Sequence, residues 1–130
     1  MDAKLATQLA RFGKALTAFE AAVAEDDGDV KSRNSILLSY VFTFEMAWRA
    51  LKVALAVRGL DVPDYAAAVL KAALQGRLID DAEGWQRLKD HRNNVSHAYD
   101  EAMAIRIAAF VREHAAPLCH RLMARLERDD

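Results

Sequence analysis

Arg92, His97 and Tyr99 stand close together in the stretch HRNNVSHAYD, His91 to Asp100, in the pattern R-x4-H-x-Y. An arginine offers a fixed cation and forked donors for a phosphate, and a histidine titrates near neutral pH and can move a proton. The two are a minimal set for phosphodiester chemistry. With the 2'-hydroxyl of an RNA as nucleophile, a general base and a charge stabiliser suffice without a metal. A plainer reading puts the same cations at a helix C-terminus, where they complement the macrodipole and the asparagines cap.

The chemical reading demands something of the backbone. In an unbroken helix a five-residue offset turns two side chains about 140° apart, so Arg92 and His97 would face away from each other. Asn93 and Asn94 are weak helix formers that tolerate left-handed backbone. The helix is therefore expected to fray or end between Asn94 and His97, turning His97 back toward Arg92. Arg87, Lys89 and His91 add local positive charge, and a two-fold axis would double the cluster.

The remaining sequence reads as packing. At 130 residues the chain is one domain long, residues 1–130, and 53% apolar with 28% charged residues is a balance that buries one core. A net charge of -1 provides no protein-wide field for nucleic acid, so any polyanion contact must be local. One cysteine excludes an internal disulfide and fits a reducing compartment, the cytoplasm. The first residues lack the apolar run of a signal peptide, and no segment approaches the roughly 18 apolar residues of a membrane span.

Five glycines and two prolines, with apolar residues at steps of three and four, predict an all-α chain. Leu5, Leu9, Phe12, Leu16, Phe19 and Val23 form a first helix, ended by the polar run Glu25 to Asp29. A second runs from about Asp29 to Arg58, with Gly59 as its stop, and its broad apolar face places it at the centre. Pro63 suits the first turn of a short helix, Asp64 to Gln75, which Gly76 ends. Asp80 and Glu83 have capping-box spacing ahead of a helix with Trp85, Leu88, Arg92 and Val95 on one side. Asp100 caps the last helix, Glu101 to about Arg128, whose stripe includes Ile107, Val111, His114, Leu118 and Leu122, with Pro117 bending it or displacing a hydrogen bond. The architecture is an up-and-down four-helix bundle with one additional short helix, expected as a dimer.

Other chemistry-bearing residues have bland alternatives. Glu45 sits beside the apolar stripe and can pair with Arg49 one turn on, or reach the fourth helix and orient Arg92. Trp48 and Trp85 lie on stripes among leucines and read as core, although aromatics also stack on bases. His114 and His120 lack zinc-ligand spacing, so no metal site is expected, and Cys119 lacks the paired histidine and reactive surroundings of a nucleophile. No glycine-rich phosphate loop and no nucleotidyl-transfer motif are present, and no cofactor is expected.

Three stretches resemble the HEPN superfamily of small helical bundles, in particular its branch of nucleotidyltransferase substrate-binding proteins and HEPN toxins: FEMAWRALK from Phe44, GRLIDDAEGWQRL from Gly76 and HRNNVSHAYDE from His91. They occur in the family's order, and the likeness extends over nearly the whole chain. The resemblance implies a homodimer whose motifs meet in a shared cleft, and a metal-independent endoribonuclease with Arg92 and His97 as the catalytic pair. It also implies Asn93 as the polar residue after the arginine, with Tyr99 as the residue adenylylated by a minimal nucleotidyltransferase antitoxin. Other relatives with these segments are non-catalytic partners that dock a nucleotidyltransferase, which leaves two functional expectations.

Overall fold

The computed structural model describes residues 1–128; the last two residues of the expected domain lie outside them. The three-four spacing produces five α-helices and, among the described residues, no strand: α1 (Ala3–Ala24), α2 (Val30–Val57), α3 (Ala66–Gln75), α4 (Ala82–Asn94) and α5 (Glu101–Glu127). A 3-10 turn, Val95–His97, joins α4 to α5.

Side-chain carboxylates set the starts of α1, α2 and α5. Asp2 accepts from the Leu5 amide at 3.0 Å, Asp29 from Ser32 at 2.8 Å and Asp100 from Met103 at 3.2 Å. Each bond satisfies an amide that the helix itself leaves open, worth about 1 kcal/mol. Hydrogen bonds from Ser32 also hold the Asp29 carboxyl below its ordinary value. At the end of α2, Gly59 takes φ 85°, and the Leu60 amide bonds back to the Leu55 carbonyl. Glycine adopts this left-handed geometry without steric cost.

One apolar core runs through all five helices, and α2 is its axis. It packs against each of the other four helices and buries Ile36, Tyr40, Phe44, Ala47, Trp48, Leu51 and Leu55. Phe12 and Phe19 fill the α1 side, and Trp85 and Leu88 the α4 side. Burial of each large side chain contributes about 2–3 kcal/mol. No helix of the described residues is long and apolar enough to cross a membrane.

Three local expectations are corrected. Helix α3 begins at Ala66, so Pro63 lies in the preceding loop; Lys52 reaches from α2 to the Val62 carbonyl at 3.1 Å and Asp64 at 3.5 Å, holding that segment out of the helix. The cap of α4 is Asp81, which accepts from Gly84 at 2.8 Å, while Asp80 pairs with Arg121 at 2.6 Å. A Cβ on residue 84 would stand 2.6 Å from the Asp81 carboxylate, so glycine makes this cap possible. His114 lies outside the core on the solvent side of α5, with Ala115 buried in its place. Helix α5 continues through the exposed Pro117.

The end of α3 departs from the usual pattern. Gly76 is the cap residue with φ -85°, and the left-handed position falls on Arg77, φ 59°. The Leu78 amide bonds to Ala73 at 2.8 Å and the Arg77 amide to Leu74 at 3.2 Å, the two closing bonds of a Schellman turn. A Cβ on Gly76 would fit tightly, 3.3 Å from both the Ala72 carbonyl and the Arg58 guanidinium, which donates to the Gly76 carbonyl at 2.7 Å. Arg77 consequently carries backbone strain on the order of 1 kcal/mol that a glycine would not.

Candidate functional site

Arg92 projects from the last turn of α4 onto α2. Its Nε donates to Glu45 Oε1 at 3.3 Å, and the second oxygen of Glu45 accepts from the Trp48 indole at 3.1 Å. Glu45 thus bridges two donors, one on its own helix and one 47 residues away. Of its two anticipated partners it takes Arg92; Arg49 instead lies over the Trp48 ring at 4.9 Å. The arginine and glutamate side chains are 31% and 28% exposed, which leaves the pair at the border of the core. One further group anchors this end of α4. The buried Tyr40 hydroxyl donates to the Leu88 carbonyl, one turn before Arg92. Burial pushes the Tyr40 phenol well above its ordinary value.

The helix ends where the asparagines predict, at Asn94, but the backbone does not turn left-handed. Asn94, Val95 and Ala98 all keep right-handed, helix-like dihedrals, and the chain tightens into the 3-10 turn. Two further α-helical steps and three 3-10 steps carry His97 about 200° around the axis from Arg92. His97 therefore does not turn back onto the arginine. Among the described residues no hydrogen bond or ion pair joins the two. His97 is exposed and meets Tyr99 edge-on at 6.2 Å, and Tyr99 is 86% exposed. Asn93 is exposed as well, its carbonyl accepting from Ser96.

The expected basic cluster is dispersed around α4. Arg87 and His91 face α5, where Arg87 stands 5.3 Å above the Phe110 ring and His91 stacks on it at 4.5 Å. Lys89 pairs with Asp90 at 3.8 Å. Burial, followed by the Arg87 charge, lowers the His91 pKa, and its Nδ1 is shut away from water with no partner although the ring is only half-buried. A guanidinium that spacing did not single out reaches the edge instead: Arg33 of α2, 16% exposed, comes within 4.0 Å of Glu101, two residues past Tyr99. Its Nε is buried without a partner. The signal was its place at the start of α2, but no local pattern links residue 33 to residue 101.

Trp48 and Trp85 are core residues, as their stripes predict. Cys119 is buried, which pushes its thiol up to about 12 and leaves it poorly nucleophilic at neutral pH. No three His, Cys, Asp or Glu side chains among the described residues come together as metal ligands.

An all-helical bundle with a motif-bearing α4–α5 junction defines a HEPN-like fold. The family model described as nucleotidyltransferase substrate binding protein like matches residues 7–128, and the chain belongs to that family. Among solved structures it is similar to a protein of Thermus thermophilus, with 26% identity and a TM-score of 0.82 over 90% of this chain and 99% of that one. No curated protein matches it significantly.

Proposed function

We propose that the chain is the binding subunit of a nucleotidyltransferase pair, docking its catalytic partner at the edge formed by the 3-10 turn and the start of α5. His97 and Tyr99 are the contact residues. The observation that carries this reading is the separation of the motif. Arg92 is drawn onto α2 by Glu45 while His97 and Tyr99 stand in solvent, so one protomer lacks the guanidinium–imidazole pair that RNA cleavage needs. The family's description supports the same role. The function requires no metal or cofactor in this subunit and takes place in the cytoplasm.

Co-expression with each minimal nucleotidyltransferase of the source genome tests it. The expected result is a stoichiometric complex that Tyr99→Glu disrupts, with RNA left intact. Cleavage of RNA by the parent chain, lost in both Arg92→Ala and His97→Ala, would overturn it.

A second reading is favoured by the accessibility of the Tyr99 hydroxyl beside His97. In it, the chain is a toxin: a homodimer brings Arg92 of one protomer to His97 of the other, and the pair cleaves RNA without metal. Glu45 orients the arginine and Asn93 supports the motif. Transfer of AMP from ATP to the Tyr99 hydroxyl by the nucleotidyltransferase, with release of pyrophosphate, places an anion in competition for Arg92 and silences it. A mass gain of AMP units on Tyr99 after co-expression selects this reading; an unmodified complex selects the first.

A further inference from the structure

Two polar residues lie buried in the core among the described residues, Gln8 and Thr43. The Thr43 hydroxyl reaches the Ala15 and Ser39 carbonyls at 3.1 and 2.8 Å, which accounts for its burial. Gln8 is different. It is 9% exposed, and its Oε1 accepts from Arg11 at 3.2 Å. A guanidinium only donates, so the carboxamide oxygen must face Arg11, and the amide nitrogen points away with its donors unused by the described residues. A leucine here would extend the apolar stripe of α1, whereas a buried carboxamide is costly unless both of its ends are bonded.

Gln8 lines a cavity of about 460 Å³ bounded by α1, α2 and the loop before α3. Three cations face it, Arg11, Arg49 and Lys52, against one carboxylate, Asp64. Asp64 is already 3.5 Å from Lys52. Arg49 lies over the Trp48 ring and Arg11 bonds the Gln8 carboxamide, so neither guanidinium has a counter-ion among the described residues. Met46 and Val53, packed against the core, give the cavity an apolar wall. Two uncompensated guanidinium groups beside unused amide donors are a place for an anion that carries further hydrogen-bond acceptors.

We propose that this cavity holds an acidic, extended segment of a partner protein, its carboxylates on Arg11 and Arg49 and a backbone carbonyl on the Gln8 amide. Guanidinium forks match carboxylates at two points, the carboxamide donates to a peptide carbonyl, and Met46 and Val53 take the methylenes of acidic side chains. An RNA strand fits less well. Asp64 would repel its phosphates, and Trp48, covered by Arg49 and 6% exposed, offers no face to a base. The acidic run of a second copy, Glu25 to Asp29, is a poor occupant, because Arg112 holds Asp26 at 2.6 Å and Asp29 caps α2. None of the lining residues belongs to the α4–α5 junction, so the site stands apart from docking there.

Calorimetry on the full chain at low salt, with blocked hexaglutamate, hexaglutamine and an oligoribonucleotide as probes, tests the proposal. Hexaglutamate should bind, more weakly as salt is raised, and hexaglutamine should not bind measurably. Arg11→Gln and Arg49→Gln should each weaken hexaglutamate at least about tenfold. Arg121→Gln, the same loss of charge elsewhere, should bind as the parent does. Gln8→Leu should weaken binding while its melting temperature equals or exceeds the parent's, because the apolar side chain extends the α1 stripe. The proposal is overturned by no hexaglutamate binding at millimolar concentration, by equal binding of hexaglutamine, or by parent-like binding in both Arg11→Gln and Arg49→Gln. Equal weakening in Arg121→Gln, or a Gln8→Leu variant that binds as the parent does and melts lower, overturns it as well. Tighter binding of the oligoribonucleotide, lost in the same two arginine variants, would make the cavity an RNA contact instead. Self-association of the parent in sedimentation, abolished by those variants, would seat a second copy there.

Discussion

Replacing Glu45 with glutamine removes the charge that holds Arg92 while keeping a carbonyl oxygen for the Trp48 indole. At 3.3 Å the raw attraction between the two charges is about 5 kcal/mol for an effective dielectric near 20. Most of that is offset by desolvating groups that are about two-thirds buried and by fixing two long side chains. Exposed pairs retain about 0.2–1 kcal/mol, and a hydrogen bond to a charged group about 1.5–3 kcal/mol. A coupling of about 1 kcal/mol lies between these limits. Urea melts of the parent, Glu45→Gln, Arg92→Gln and the double variant form a cycle that isolates this coupling from the individual losses. It should shrink in about 1 M salt, where the screening length falls to about 3 Å. A coupling below about 0.3 kcal/mol at low salt would refute the reasoning. Arg92 would then be free to swing out, and the argument that one protomer keeps it from His97 would fail with it.

Tyr40→Phe should cost about 1 kcal/mol, the net worth of one buried hydrogen bond, because the Leu88 carbonyl keeps its helical partner. Its alkaline melting curve should also flatten: the folded state holds the Tyr40 proton above the ordinary value of 10, so parental stability falls as pH rises past that value. Acid stability reports on His91 with the opposite sense. Its pKa is lowered on folding, so the unfolded chain takes up the proton first and stability declines as pH drops below the ordinary 6.5; His91→Leu should reduce that slope in a pH series of denaturant melts. Cys119, buried and with its thiol near 12, should react with a disulfide reagent at about pH 8 only as the protein opens. Labelling at a rate close to that of the unfolded chain would contradict its placement.

Much of the bundle could be read from local sequence because its causes are local. The stripes of α1 and α2 and the carboxylate caps at Asp29 and Asp100 each depend on residues within a turn or two of one another, as does the glycine stop at Gly59. Asp80 and Asp81 are adjacent acidic residues, and the choice between them rests on Arg121, 41 residues on, which claims the first. The path of the backbone past the motif escaped local reading for another reason. Asparagine permits a left-handed turn without requiring one, and the tight 3-10 winding took its place. The Glu45 bridge and the Asp80–Arg121 pair join segments tens of residues apart, so spacing could at most allow them. Arg77 was hidden altogether, since the glycine beside it is the residue that sequence rules would place in the left-handed position.

The central placement of α2 has a consequence for how the molecule breathes. A helix clasped by four others can expose its amides only when the whole bundle comes apart, whereas α3 rests chiefly on α2 and α4 and has a short body. Native-state hydrogen exchange should therefore resolve at least two cooperative units, with the middle of α2 tracking global opening and α3 releasing earlier. The strained turn at Arg77 closes that looser unit, so the amides of Arg77 and Leu78 should lose protection together with α3.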